Sequence, residues 1–304
     1  MLKRLMPGLV LLLAAAPARE PVDIMVGARP LALAGAFTAL SDDAAAVLWN
    51  PAGLAWNRAF EFRTDFAWRW SDTRQTTLAL TGPLGHGFGA GLSYNRLTVE
   101  PDSASPGPRG DALALGPSLG WRPLHDLAVG IGCRYAEVQS GTGRLRAPLF
   151  DSGVLWRPFG VVSLGASLNG YSLADGMTSL DLRSGAAIRL PLSSGHLLVS
   201  GEADAAGGNP VSFAFGAESY SHWGRSTWSS YDSLGEHGLY LRVGYRGRDW
   251  QNLPRGWTFG AGYVYDMARF LQFGVDFIYT FSLPKEEAYR GSVYLRCFPD
   301  LIFS

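Results

Sequence analysis

The chain has 304 residues and formally no net charge, with 26 basic and 26 acidic side chains, and no basic patch points to nucleic acid. Hydrophobic residues make up 47% of it and charged residues only 17%, below the ~25% of an ordinary soluble domain. With 38 glycines, 10 tryptophans, 12 tyrosines and 16 phenylalanines, that balance suits a β-barrel whose outer face meets lipid.

In chain order, Lys3 and Arg4 precede an apolar core from Leu9 to Ala16, and Ala16-Pro17-Ala18 is a small-x-small cleavage site. This is the pattern of a secretory signal peptide over residues 1–18. The core is short of the ~20 residues of a membrane-spanning helix, which makes a retained anchor the weaker reading. Cleavage would leave a slightly acidic mature chain beginning near Arg19.

Gly27 to Ala55 is the one long part of the mature sequence that does not alternate. Its apolar residues Leu33, Phe37, Leu40, Ala44, Val47 and Leu48 recur at steps of three and four, which predicts two short amphipathic helical turns. Ser41, Asp42 and Asp43 stand at a plausible helix start, where their oxygens can accept orphan backbone N–H groups. Asn50-Pro51 ends the second turn, because the residue before a proline is pushed out of the α region. Residues 19–58 thus read as an N-terminal helical hatch or plug, and residues 59–304 as the wall around it.

The wall has a two-residue period. Phe60, Phe62, Phe66, Trp68 and Trp70 share one face while Glu61, Arg63, Asp65 and Arg69 share the other. Leu182, Ala186, Ile188 and Leu190 likewise oppose Asp181, Arg183 and Arg189, and Leu239, Leu241, Val243 and Tyr245 oppose Arg242 and Arg246. Near the C-terminus, Phe273, Val275, Phe277, Tyr279 and Phe281 oppose Gln272, Gly274, Asp276 and Thr280. Strands are predicted near 59–70, 75–83, 87–98, 111–122, 126–138, 145–157, 160–170, 179–190, 195–204, 211–220, 238–246, 256–265, 269–281 and 289–298. About fourteen strands of this length match a single-chain, all-β transmembrane antiparallel barrel. A soluble sandwich is the competing fold, but the charged residues recur too regularly on one face and the aromatics crowd the other.

Tight proline-bearing turns are expected at Gly82 to Gly85, Arg122 to His125, Arg157 to Gly160 and Leu190 to Ser193, with Asp266 to Arg269 after strand twelve. Short turns on the periplasmic side and longer loops outside are the barrel habit. The stretch from Val99 to Gly110 and the loops around Ser172 and Arg248 then face outward. Ser221 to His237, with Trp223, Trp228 and Tyr231, breaks this rule: either the strand count slips there, or it is a long insertion on the periplasmic side.

No motif marks chemistry. Glycines at 87, 89, 91, 130 and 132 alternate within strands rather than opening a strand-to-helix phosphate loop, and read as lumen positions making room for the plug. The five histidines lack metal-ligand spacing, Cys133 and Cys297 are too sparse for a disulfide framework or metal site, and no local motif marks a nucleophile. No enzyme activity, metal or cofactor is expected. Arg63, Arg69, Arg134, Arg183, Arg189, Arg242, Glu202 and Asp204 are lumen candidates, either contacting a ligand or pinning the plug to the wall by salt bridges; pinning is the commoner use. The basic residues are almost all arginine, the lysines being Lys3 and Lys285.

The run from Gly27 to Ala55 resembles the N-terminal signature of the PorV/PorQ group of outer-membrane proteins, relatives of the FadL-type transporters of long-chain fatty acids. The matching features are Gly35-Ala36-Phe37, Asp42-Asp43-Ala44 and Trp49-Asn50-Pro51-Ala52-Gly53-Leu54, with looser agreement at Phe215 to Glu218, Leu241 to Tyr245 and Ser292 to Phe298. The resemblance covers essentially the whole mature chain and implies a fourteen-stranded barrel with an N-terminal hatch in a Gram-negative outer membrane. It implies passage of hydrophobic substrates past a hatch in which Phe37, Asp42, Asp43, Trp49, Asn50, Pro51 and Gly53 are the positions of interest. The chain is shorter than FadL-type transporters. The expected function is passive transport of small hydrophobic molecules, and the alternative is a PorV-like accessory barrel for secretion and surface attachment; a plain diffusion pore comes third. Expected partners are outer-membrane lipid and either a hydrophobic ligand or secretion-machinery proteins, with no nucleic acid.

Overall fold

A computed structural model of the chain describes residues 27–69, 73–99, 110–140, 143–172, 180–206, 211–223, 236–247, 256–268, 270–282 and 288–299. The expected signal peptide, the loop residues 100–109 and Arg248, and Trp228 and Tyr231 lie outside the described residues.

Fourteen strands follow the hatch: β1 Phe60–Arg69, β2 Thr73–Gly85, β3 Phe88–Val99, β4 Gly110–Trp121, β5 Leu127–Ser140, β6 Gly143–Trp156, β7 Val162–Tyr171, β8 Asp181–Leu192, β9 Gly195–Ala206, β10 Ser212–Trp223, β11 His237–Arg246, β12 Gly256–Ala268, β13 Leu271–Ser282 and β14 Ala288–Cys297. Each pairs antiparallel with its sequence neighbours, and β1 closes on β14 from Phe60 opposite Cys297 to Arg69 opposite Ala288. Closure leaves no strand edge with unpaired backbone groups, the condition for a sheet to cross lipid. The chain is a transmembrane antiparallel β-barrel of fourteen strands.

The alternation decides which face meets lipid. Phe60 and Phe62 are 46% and 49% exposed, whereas Glu61 and Arg63 between them are 3% and 1% exposed. In β13, Phe277 and Phe281 are exposed while Asp276 and Thr280 are buried. A soluble sandwich would bury the aromatic face; here the charged face is inside and the aromatic face outside. No helix among the described residues is long and apolar enough to cross a membrane, so the strands do the crossing.

Two expected turns are displaced. Pro83 and Pro191 lie inside β2 and β8, opposite Gly89 and His196, and the hairpins close at His86-Gly87 and Ser193-Ser194. His86 and Gly87 have φ of 52° and 79°, the positive pair that a two-residue hairpin of matching twist demands. Gly87 is therefore a turn residue and not a lumen residue. These turns, with those joining β4 to β5, β6 to β7 and β12 to β13, fall at one end of the barrel, here the turn end. The connection from β10 to β11 is at that same end, because every strand from β1 onward pairs in sequence. The strand count does not slip there, and the two strands reach to Trp223 and His237, opposite one another.

The lumen holds the hatch. It consists of α1 (Ala28–Ala32), α2 (Ala46–Trp49) and a 3-10 turn over Pro51–Trp56. Leu31, Leu33, Phe37, Leu40, Val47, Trp49 and Leu54 form the main apolar cluster with Ala79, Ala187, Leu198 and Ile278 of the wall. The helical segments are not one-sided as expected: from Gly27 to Ala55 every residue is buried except the part-buried Asp42, since wall surrounds them on all sides. Nor is Ser41 a cap. It has φ of 35° and donates to the Phe37 carbonyl at 3.2 Å, while Asp43 alone of the three accepts a helix-start N–H, from Ala45 at 2.9 Å.

Candidate functional site

The site is the contact between hatch and wall. Its first component is a socket of small residues. A Cβ at Gly89 would lie 1.9 Å from the Leu54 carbonyl oxygen, at Gly130 2.2 Å from the Ala52 nitrogen, at Gly165 2.5 Å from the Thr38 oxygen and at Gly244 2.5 Å from the Ala34 nitrogen. A Cβ at Gly91 would meet the Val47 side chain at 2.3 Å. Hatch backbone thus rests directly on wall backbone. Gly132 differs from the expectation: its space is taken by Ser118 and Asp151 of the wall, not by the hatch.

The second component is charge. Arg29 of α1 donates from Nε and NH2 to the two carboxylate oxygens of Glu218 at 2.8 and 3.0 Å, and from NH1 to Asp42 at 2.6 Å and Asp43 at 3.3 Å. Arg63 reaches Asp43 at 3.2 Å and Glu61 at 3.0 Å, and Arg189 reaches Asp42 at 2.5 Å. Arg242 links Glu218 and Asp276, each at 2.6 Å. Glu202 accepts the N–H groups of Phe37 and Thr38 at 2.8 and 2.7 Å, and Arg246 holds Asp204 at 2.5 Å and the Ala34 carbonyl at 2.9 Å. Buried charges stay ionised only when paired in this way. Burial alone would push the Asp42 carboxyl up, but the guanidiniums of Arg29, Arg189 and Arg157 outweigh it and hold it well below the usual carboxylate range.

The third component is the Trp49-Asn50-Pro51 turn. Phe37 meets Trp49 edge to face at 5.9 Å, and the guanidinium carbon of Arg183 lies 4.7 Å from the Trp49 ring centroid. Asn50 accepts from the Ala52 N–H at 3.2 Å and donates to the carbonyls of Thr38 at 3.0 Å and Val154 of β6 at 3.1 Å. Gly53 packs where a Cβ would strike the Ser41 carbonyl oxygen at 1.9 Å. Beside this turn the β6–β7 ladder shifts register between Phe150 and Ser152, and the Gly170 N–H turns to Asp151 at 2.9 Å. The other described register shifts, at Pro83/Gly85 and Asp266/Ala268, adjoin turns.

The hatch residues singled out by sequence, Phe37, Asp42, Asp43, Trp49, Asn50, Pro51 and Gly53, therefore lie together inside the barrel. Of the lumen arginines, Arg63 and Arg189 bridge directly to the hatch, Arg183 stacks on it, and Arg242 acts through Glu218. Arg134 instead pairs within the wall, with both oxygens of Asp151 at 2.7 Å, and the side chain of Arg69 lies outside the described residues. Sequence reading did not single out Arg29 or Glu218 as site residues or pair them, 189 positions apart, although Arg29 lies in the Gly27 to Ala55 run and Glu218 in a stretch of looser agreement, on the face opposite Phe213 and Phe215. A cavity of about 110 Å³ remains toward the turn end, lined by Arg29, Asp42, Arg63, Arg189, His196, Tyr240, Arg242, Asp276, Tyr294 and Arg296. It is a polar space, unsuited to an apolar molecule.

A closed barrel with an apolar exterior and a hydrogen-bonded internal hatch defines a plugged membrane β-barrel. No protein-family model matches the sequence, and no curated protein matches it. Solved structures do share the fold. A CymD monoaromatic hydrocarbon channel aligns over 91% of this chain and 98% of its own with a TM-score of 0.63 at 9% identity. A FadL homologue from Pseudomonas aeruginosa aligns over 91% and 99% with 0.54 at 11% identity. The toluene transporter TodX of Pseudomonas putida aligns over 83% and 92% with 0.55 at 10% identity.

Proposed function

We propose that this barrel lies in the outer membrane, turn end toward the periplasm, and passes small hydrophobic molecules inward without energy input. The observation that carries the proposal is the hatch itself. It fills the lumen with an apolar cluster, yet it is tied to the wall by hydrogen bonds and ion pairs that can exchange. The cavity lined by Arg29, Asp42 and Arg296 beside it is polar, so an apolar solute passing there needs the hatch to shift. The break in the β6–β7 ladder beside Asn50 offers a route between lumen and lipid. The CymD monoaromatic hydrocarbon channel and the toluene transporter TodX, which share this fold, support the same substrate class. The three likenesses given above do not favour a secretion role over transport.

The test is uptake by cells with an intact lipopolysaccharide layer, with and without the chain, of a radiolabelled monoaromatic hydrocarbon and of a sugar of similar size. Faster entry of the hydrocarbon alone is expected. Equal acceleration of both would indicate an open pore, and acceleration of neither would reject transport.

A further inference from the structure

Charged side chains on the lipid-facing positions of the wall are confined to one sector. Along β1 and β7 to β14 no outward position among the described residues is Asp, Glu, Lys or Arg. On β2 to β6 six are: Arg74, Arg96, Asp111, Glu137, Arg144 and Arg146. All six lie at the end of the barrel opposite the turns, in two adjacent rows of the sheet. One row runs Thr76, Arg96, Leu113, Glu137, Arg146 and the next Arg74, Thr98, Asp111, Gln139, Arg144. The row just below them toward mid-wall carries Tyr94 and Tyr135.

Tyrosine marks the boundary between hydrocarbon and headgroups, and charges facing hydrocarbon are costly. The two rows therefore lie at the depth of the lipid headgroups. Within them Asp111 takes Nε and NH2 of Arg96 at 3.2 and 3.0 Å, and Glu137 takes Nε of Arg144 at 2.6 Å and of Arg146 at 2.8 Å. The carboxylates fix the forks without covering them: the side chains of Arg96, Arg144 and Arg146 remain 53%, 53% and 51% exposed. A cleft of about 280 Å³ opens between the two clusters. Among the described residues, four guanidiniums against two carboxylates leave the sector positive, and a planar fork matches phosphate oxygens in pairs.

We infer that this sector is a docking surface for the phosphorylated headgroup of an outer-leaflet glycolipid, which the channel holds on one side of its wall. The site is separate from the hatch and rests only on the barrel's placement in the membrane, so it stands or falls independently of transport.

The test is native mass spectrometry of the detergent-purified full chain with added diphosphorylated lipid A, and with the same lipid stripped of both phosphates. Retention of the phosphorylated form at least about tenfold above the stripped form is expected, lost in a triple variant carrying Arg96→Gln, Arg144→Gln and Arg146→Gln. Screening by salt should weaken it, because the groups are exposed. Equal retention of both lipids by the unmodified protein, indifference to salt, or displacement by inorganic phosphate at the lipid's own concentration would each overturn the inference. The comparison of the two lipids uses the unmodified protein, so it holds even if the triple variant does not fold. Defective hydrocarbon uptake with lipid retention intact would count against the transport proposal alone.

Discussion

Arg29 and Glu218 face each other fork to fork at 2.8 and 3.0 Å, joining the first helix of the hatch to the tenth strand of the wall. Both side chains are buried, and Glu218 is shared with Arg242. Removing one partner of such a pair leaves uncompensated charge, at a cost of about 3–5 kcal/mol.

Arg29→Ala should therefore loosen the hatch without unfolding the barrel, whose ladders do not depend on Arg29. In a planar bilayer the unmodified protein should be nearly silent and the variant should conduct. A silent R29A channel that keeps the heat-modifiable mobility of a folded barrel would show that this pair does not hold the hatch.

The socket makes a paired prediction. Gly130→Ala would place a methyl 2.2 Å from the Ala52 nitrogen, whereas the same change at Gly201 meets nothing nearer than the Phe215 ring at 3.5 Å. Overpacking of the first kind costs about 1–3 kcal/mol or more. Thermal unfolding should place G201A within error of the unmodified protein and G130A clearly below it, with conductance raised in G130A only.

Asn50 separates hydrogen bonding from size. Asn50→Ala forfeits three hydrogen bonds and leaves the Thr38 and Val154 carbonyls without their amide donor, at about 1–3 kcal/mol per buried orphan. Asn50→Asp keeps the shape but turns a carboxylate oxygen toward both carbonyls. Bilayer conductance should rank N50D above N50A above the unmodified protein; the reverse order of the two variants would contradict the assigned hydrogen bonds.

The pH response follows from Asp42, held well below the usual carboxylate range because its arginine partners outweigh the effect of burial. A carboxyl with a depressed folded value contributes stability that is fully present above its unfolded value of about 3.9, and that is lost as pH falls through the folded one. The contribution of Asp42 to hatch closure should thus be constant from neutral pH down to about 5 and weaken only in stronger acid. Asp42→Asn should conduct at neutral pH and lose the acid dependence. A transition near pH 6 to 7 in the unmodified protein would assign control to another group.

The wall was legible because its signal is local. Phe60-Glu61-Phe62-Arg63 states both the strand and its orientation within four residues, and each of the fourteen strands falls where the two-residue period places it. Pro83 and Pro191 misled because proline usually marks a turn, yet each sits near a strand end where a missing N–H is tolerated. Gly89, Gly91 and Gly130 could be read as room for a plug, whereas Gly87 belongs to a hairpin that only the strand register reveals. The ion pairs of the hatch were legible one partner at a time. Asp42 and Asp43 stand out in the run, but their cations come from α1, β1 and β8, and nothing local to a sequence states which distant arginine will face a given carboxylate.

The central claim is that solute passes only when the hatch moves. Ala39 of the hatch and Gly185 of β8 are placed so that Cβ atoms would stand 3.5 Å apart, within the range a disulfide spans. In a background with Cys133→Ser and Cys297→Ser, cells carrying Ala39→Cys and Gly185→Cys should take up labelled monoaromatic hydrocarbon no faster than cells lacking the chain while the bond is oxidised, and regain uptake on reduction. Uptake by the oxidised, cross-linked protein equal to that of the reduced form would contradict the account.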